Sequence, residues 1–164
     1  MAVYYLETSA LIKRYRSERG TEVVDEVFEA KAEYDVLTTS YFTMLEVSSV
    51  ATRLLRGSII RMGSHRRLLA NFMRDVREVM VLQPVSETVL SEAIDLIMAH
   101  ALRAPDAVHL ATALSIKASL ADVPLVFVAS DARLKAASGA SGLPVVDPEE
   151  PQAIDILGSF RSRS

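Results

Sequence analysis

Short apolar runs alternate along the chain with segments in which apolar residues recur every three or four positions. The apolar runs predict strands over residues 3–6, 35–38, 79–82, 125–128 and 145–146. The helical spacing predicts helices over 9–15, from 20–21 through Phe28, over 41–56 and 64–77, from Ser86 through Ile97, and over 105–119, 130–139 and 149–157. Strands that alternate with helices favour βαβ units and a parallel sheet.

Local signals support these boundaries and the fold class. Thr39 and Ser40 are suitable caps for the helix over 41–56, and Gly57 is suitable for its end. Ser86 is a cap residue, and Pro105 stands at a favoured first-turn position. We predict one α/β domain over residues 1–158, with a mostly parallel sheet between two layers of helices, and a polar, frayed tail over 159–164.

Composition narrows the class of protein. Half of the 164 residues are hydrophobic and 24% are charged, which is typical of a globular domain. The absence of cysteine excludes disulfide scaffolds, cysteine zinc sites and thiol catalysis. No uncharged apolar run approaches the roughly 18 residues of a membrane span, and Glu7 interrupts the first apolar run too early for a signal peptide. We therefore expect a cytoplasmic protein without a membrane partner.

The charge is unevenly distributed, although the net charge is only −3. Residues 47–74 contain no acid but six arginines, namely Arg53, Arg56, Arg61, Arg66, Arg67 and Arg74. This basic segment could bind nucleic acid phosphates, receive an acidic peptide, or be an ordinary solvated helix surface. The lack of any compensating acid favours the first two interpretations.

Four acids stand out by their positions. Glu7 and Asp131 follow two predicted strands, at the ends where parallel sheets bind ligands. Glu46 lies in the middle of a predicted helix, and Asp106 lies in a helix that is apolar almost all round. Each has an ordinary interpretation as well: Asp106 can interact with the helix dipole, worth about 0.3–1 kcal/mol, Asp131 can cap a helix, and Glu46 can be solvated.

As a set, the four acids favour a metal site. Four carboxylates drawn together would repel one another, and a divalent cation removes that penalty. Sites made only of carboxylate oxygens suit Mg²⁺ or Mn²⁺, which act on phosphates. An acidic centre beside a basic segment is the arrangement expected of a nuclease.

Five motifs stand out along the chain: Y-L-E-T-S-A-L-I-K-R-Y, the mid-helix L-E-V, L-R-A-P-D-A-V-H-L-A-T-A-L, V-A-S-D-A-R-L and G-L-P-V-V-D-P-E. Together they resemble the motifs of the PIN domain family. They follow one another in the family's order, from the first strand to about Pro148. The similarity is greatest to VapC-type toxins of toxin–antitoxin systems.

The resemblance implies a four- or five-stranded parallel sheet in an α/β/α sandwich and a Mg²⁺- or Mn²⁺-dependent endoribonuclease that uses a metal-activated water. It also implies a homodimer and a small antitoxin as partner. The family's metal-holding acidic quartet corresponds to Glu7, Glu46, Asp106 and Asp131, and its hydroxyl positions to Ser9 and Ser130. In this interpretation, the basic segment, with Arg53, Arg56, Arg61, Arg66 and Arg67, receives RNA or the antitoxin.

The sequence departs from the family at Glu7, where the family usually has Asp. The carboxylate stands one methylene farther from the backbone, and a misplacement of about 1 Å can cost on the order of 10²-fold in rate. Weakened activity or a changed metal preference is therefore an open alternative. A Glu is also a poorer helix cap than Asp, so we expect Thr8 or Ser9 to cap the helix that follows.

Three other functions match parts of this pattern. A PIN nuclease of RNA processing and a catalytically silent domain that binds RNA or protein both stay open. A phospho-accepting receiver domain needs an acidic pair after its first strand, and Glu7 is alone there. We expect His109, one turn from Asp106, to be a packed core residue that bonds to backbone rather than a catalytic group.

Overall fold

Five parallel strands form the central sheet. This computed structural model describes residues 1–29 and 34–161. The strands are β1 (Val3–Leu6), β2 (Val36–Ser40), β3 (Met80–Gln83), β4 (Leu125–Val128) and β5 (Val145–Val146), in the order β3-β2-β1-β4-β5. All four pairings are parallel, so the predicted parallel sheet is confirmed and β1 is its central strand.

The predicted helices are all present. They are α1 (Thr8–Leu11), which continues into a 3-10 turn (Ile12–Arg14), α2 (Thr21–Glu29), α3 (Phe42–Arg56), α4 (Met62–Glu78), α5 (Glu87–His100), α6 (Ala104–Ser119), α7 (Ala132–Ala140) and α8 (Ala153–Arg161). The last helix begins and ends four residues later than predicted. It therefore includes residues 159–161 of the expected tail, and residues 162–164 lie outside the described residues. No helix in the described ranges has the length and apolar character needed to cross a membrane.

The cap signals were partly correct. Ser86 caps α5 by accepting a hydrogen bond from the Val89 amide, and Gly57 ends α3. Of the two caps predicted for α3, Ser40 accepts a hydrogen bond from the Phe42 amide at 3.1 Å. The prediction for Thr39 is wrong, because its hydroxyl donates to the carbonyl of Leu6 at 2.7 Å and so joins β2 to β1.

Alternate residues of β1 face two different layers of helices. Tyr4 and Leu6 pack in the core formed with α1–α4 and α8. Val3 and Tyr5 pack in the core formed with α5–α7. The period of two along a strand thus fills both faces of the sheet, and the predicted three-layer sandwich is confirmed.

The chain after β5 is fixed to the start of the molecule. The side chain of Lys13 is buried, and its Nζ lies 2.6 Å from Oε1 of Glu149 and 3.6 Å from Oε1 of Glu18. Gly20 adopts a φ of +86°, and a Cβ at this position would stand 2.7 Å from the carbonyl oxygen of Pro148. Only a glycine fits this close approach without strain.

Candidate functional site

The carboxyl ends of β1 and β4 bring the acids together. These strands pair in register up to Leu6 and Val128, so the residues that follow them emerge side by side. Glu7, Glu46 and Asp106 line a cleft of about 510 Å³. Asp131 lines an adjoining cleft of about 560 Å³, which Glu7 also lines. The four acids selected from the sequence therefore meet at one edge of the sheet.

Glu7 is buried and caps α1 itself. Its Oε2 accepts hydrogen bonds from the amide of Ser9, at 2.9 Å, and from the Ser9 hydroxyl. The expectation that Thr8 or Ser9 would be the cap is wrong, because the longer Glu side chain folds back onto its own helix. Burial raises the pKa of Glu7 above its ordinary value, although His109 and Ser9 partly oppose that effect.

Asp106 and Asp131 share one cation, the side chain of Arg103. The guanidinium donates to Asp106 from Nε at 2.8 Å and from Nη2 at 3.2 Å, and it reaches Oδ2 of Asp131 at 3.4 Å. The other oxygen of Asp131 accepts from the amides of Arg133 and Leu134, so this acid also caps α7. Arg103 is not among the residues predicted from the sequence, although its spacing of three residues from Asp106 is a usable signal.

Glu46 is held by a second residue whose role was not expected, His109. The Nε2 atom of His109 lies 2.6 Å from Oε2 of Glu46, and the hydroxyl of Thr8 donates to the same oxygen at 2.6 Å. His109 is fully buried as expected, but it bonds to side chains rather than to backbone. Its Nδ1 atom lies 2.9 Å from the hydroxyl of Tyr5.

This bonding sets the ionisation of Glu46. Burial alone would raise its pKa, but the hydrogen bonds from His109 and Thr8 lower it below the ordinary value. An ionised carboxylate only accepts hydrogen bonds, so Nε2 of His109 is the donor. Burial also raises the pKa of Tyr5 well above its usual range, which keeps its hydroxyl protonated and able to donate to His109.

Ser9 and Ser130, the two predicted hydroxyl positions, lie next to each other. The amide of Ser130 donates to Oγ of Ser9 at 3.3 Å. Within the described part of the chain, Oγ of Ser130 is buried without a hydrogen-bond partner. A buried polar atom without a partner destabilises the protein unless a further group binds it. Ser130 lines the same cleft as Asp131.

The basic segment lies on α3, on α4 and on the connection between them. All six side chains are exposed, and Arg53 lines the same cleft as Glu46. The remaining members are Arg56, Arg61, Arg66, Arg67 and Arg74, of which Arg74 contacts Asp75 at 3.4 Å. The acidic centre thus has a basic side, in the direction of α3.

The chemistry of these donors fits a divalent metal. Over residues 1–29 and 34–161, no three acidic or histidine side chains already form a group that could hold one. Ser9, Arg103 and His109 engage the carboxylates instead. The position between Asp106 and Asp131 is nevertheless one that a cation occupies, namely the guanidinium of Arg103. The Ser130 hydroxyl, which has no hydrogen-bond partner among the described residues, is a further oxygen ligand. Glu7, Glu46, Asp106 and Asp131 could therefore hold Mg²⁺ or Mn²⁺ once these contacts are exchanged.

Comparisons with known proteins agree with this fold. The solved structures that match the fold include VapBC2 from Rickettsia felis bound to a promoter DNA fragment, FitAcB from Neisseria gonorrhoeae, and VapBC-5 from Mycobacterium tuberculosis, of the VapBC family of toxin–antitoxin systems. Their TM-scores are 0.63, 0.63 and 0.58, at 11%, 17% and 18% sequence identity. The matches cover 88%, 88% and 90% of this chain and 98%, 97% and 99% of those chains.

The sequence itself was compared with curated proteins and with family models. No curated protein matches it significantly. The family model described as the PIN domain matches residues 4–140, which is most of the chain and includes all four acids. The chain therefore belongs to the PIN domain family.

Proposed function

We propose that this protein is a Mg²⁺- or Mn²⁺-dependent endoribonuclease and the toxin of a type II toxin–antitoxin pair. The observation that carries the proposal is the convergence of Glu7, Glu46, Asp106 and Asp131 at the carboxyl end of the sheet. The guanidinium of Arg103 lies between Asp106 and Asp131. Carboxylates separated by up to 124 positions in sequence are costly to assemble, and a catalytic cation gives a reason for assembling them.

In this proposal, some residues bind the metal and others orient its ligands. Asp106 and Asp131 provide the carboxylate oxygens that are now on Arg103, and Glu46 is oriented by His109 and Thr8. A bound Mg²⁺ or Mn²⁺ would polarise a phosphodiester oxygen and make water a stronger nucleophile at neutral pH.

The basic segment binds the substrate through its phosphates. Arg53 lines the cleft beside Glu46 and is positioned for an RNA phosphate adjacent to the scissile one. The other arginines extend the positive surface along α4, where either RNA or an acidic antitoxin segment would bind.

The partners are proposed from the same comparisons. The solved relatives named above are VapBC and FitAcB proteins, and this chain has their fold over nearly its full length. We infer a small antitoxin, encoded beside the gene, and a homodimer. A neighbouring reading frame for a short DNA-binding protein would separate this assignment from a PIN nuclease of RNA processing.

The test is cleavage of RNA by wild type and by Asp106→Asn, with Mg²⁺, with Mn²⁺ and with EDTA. We expect cleavage that requires metal and that falls at least 10²-fold in the variant. Asp95→Asn makes the same chemical change at an exposed position on α5 and should retain activity. Equal cleavage by wild type and Asp106→Asn, or cleavage in EDTA, would refute the assignment.

One feature favours a second candidate, a catalytically silent PIN domain that binds RNA or protein. The carboxylate of Glu7 is committed to the amide and hydroxyl of Ser9, and the side chain is one methylene longer than in most of the family. Calorimetric titration with Mn²⁺ discriminates between the candidates. A folded protein that binds no Mn²⁺ at millimolar concentration is the silent domain.

A further inference from the structure

The guanidinium of Arg103 lies where the clefts around the acids join. Arg103 lines the cleft with Glu7, Glu46 and Asp106, the adjoining cleft with Asp131, and a third with Asp106 and Asp131. Its bonds to Asp106 use Nε and Nη2, the paired geometry that makes arginine–carboxylate contacts strong. Yet 68% of its side chain is exposed, so the group can leave without disturbing the core.

The charge of Arg103 reaches all four acids. The bonds and charge of Asp106 raise the pKa of Arg103, and Asp131 and Glu7 act in the same direction. Among the causes that shift Glu46, the charge of Arg103 is one that lowers its pKa. One flexible cation therefore compensates the acidic centre.

We propose that Arg103 is the resident counter-ion of this centre, that a divalent metal displaces it, and that the released guanidinium then binds a phosphate of the RNA. This inference rests on the proposed metal-dependent nuclease. Metal and guanidinium need the same oxygens of Asp106 and Asp131, and two cations held by the same carboxylates would repel each other. Binding of one therefore excludes the present position of the other.

The released group remains close to the reaction. Arg103 is the residue immediately before α6, and only its side chain makes the contacts with the acids, so rotation about its side-chain bonds is enough to free it. A guanidinium presents donors in a fork that matches phosphate oxygens. The same residue thus suppresses metal binding before loading and holds substrate after it.

In the first test, Mn²⁺ alone is titrated into wild type, Arg103→Gln and Arg133→Gln, and its binding is measured by calorimetry. Arg133 is an exposed arginine of the same third cleft, but its guanidinium donates to the carbonyl of Ala101 rather than to an acid. We expect Arg103→Gln to bind Mn²⁺ on the order of tenfold more tightly than wild type, equivalent to about 1.4 kcal/mol. Arg133→Gln should differ from wild type by much less.

The outcomes separate the two proposals. Mn²⁺ binding that is equal in wild type and Arg103→Gln, or weaker in the variant, overturns the counter-ion role and leaves the nuclease assignment intact. Equal gains in Arg103→Gln and Arg133→Gln also overturn it, because they show a general charge effect. No Mn²⁺ binding in any of the three proteins removes the nuclease assignment and this inference together.

The second test measures the phosphate contact without metal and without cleavage. Asp106→Asn removes the charge of the carboxylate that accepts two hydrogen bonds from Arg103, so the guanidinium is held less tightly and can reach a phosphate. Binding of a fluorescent single-stranded RNA is compared between Asp106→Asn and Asp106→Asn/Arg103→Gln over a series of salt concentrations. The loss of one phosphate contact should lower the slope of log K against log salt by about 0.7. Identical slopes overturn the phosphate role.

Discussion

The imidazole of His109 holds the carboxylate of Glu46, with 2.6 Å between Nε2 and Oε2, although the two residues lie 63 positions apart on different helices. The Tyr5 hydroxyl fixes the far side of the same ring at 2.9 Å. A chain of hydrogen bonds thus runs from the central strand through α6 to an acid on α3. The orientation of that acid is therefore fixed from within the core.

His109→Leu should damage both stability and metal binding. The change leaves the buried hydroxyl of Tyr5 without its acceptor, which costs about 1–3 kcal/mol of unfolding free energy, and it removes the donor that holds Glu46. We expect Mn²⁺ affinity to fall roughly tenfold or more. Tyr5→Phe is the control, since it removes the far bond and leaves the contact with Glu46. Equal Mn²⁺ affinity in His109→Leu and wild type would contradict the positioning role.

Glu7→Gln should stabilise the metal-free protein at neutral pH. Because burial raises the pKa of Glu7 in the folded state, the native protein binds more protons than the unfolded chain just above the unfolded pKa. Stability from this group is complete below the unfolded pKa and declines as pH rises through the folded one. The variant should melt higher than wild type at pH 7 in EDTA, and the difference should shrink towards pH 4.5.

The control for this pH series is Glu78→Gln, an exposed position at the end of α4. Its melting temperature should stay close to that of wild type at every pH. A Glu7→Gln protein that melts below wild type at pH 7 would mean that the ionised carboxylate is a net stabiliser through its bonds to Ser9.

Glu7→Asp should raise the rate of RNA cleavage. The shorter side chain withdraws the carboxylate by one methylene, towards the position that the family's usual Asp would occupy. Since a displacement of about 1 Å can change rates on the order of 10²-fold, we expect an increase up to that size. Initial rates with Mg²⁺ and with Mn²⁺ measure it, and a slower variant would show that Glu is the fitted ligand here.

Gly20→Ala should weaken the attachment of the chain after β5. The new Cβ would stand 2.7 Å from the carbonyl oxygen of Pro148, and the φ of +86° disfavours any side chain. We expect a loss of about 1–2 kcal/mol or more in urea unfolding. Gly63→Ala on α4 is the matched control: nothing lies within 4 Å of its Cβ position, so that change should stabilise by about 0.5–1 kcal/mol.

The architecture could be predicted from the sequence because the residues that are buried recur at the periods of strands and helices. Val126 and Val128 face one layer of helices while Leu125 and Phe127 face the other, so an unbroken apolar run could only be a covered strand. Asp106 was conspicuous for the same reason, as an acid in an apolar helix.

The details of the site depend on geometry that no local pattern encodes. His109 looked like a core residue, and it is one, but only the tertiary fold brings Glu46 of α3 to its ring. The folded-back carboxylate of Glu7 reflects its rotamer, which one sequence does not specify. The last helix was placed too early because Asp147 and Glu149 form a turn through side-chain and backbone bonds before the helix starts.

The ion pair between Lys13 and Glu149 has a consequence for how the molecule can be divided. The family model ends at residue 140, whereas Glu149 neutralises a buried lysine beside α1 and lines the cleft that contains Asp131. A protein shortened at the edge of the recognised family region would lose β5 and the nearer of the two carboxylates of Lys13, leaving the buried ammonium group only Glu18 at 3.6 Å. The boundary of sequence similarity therefore runs between two paired strands and through an ion pair.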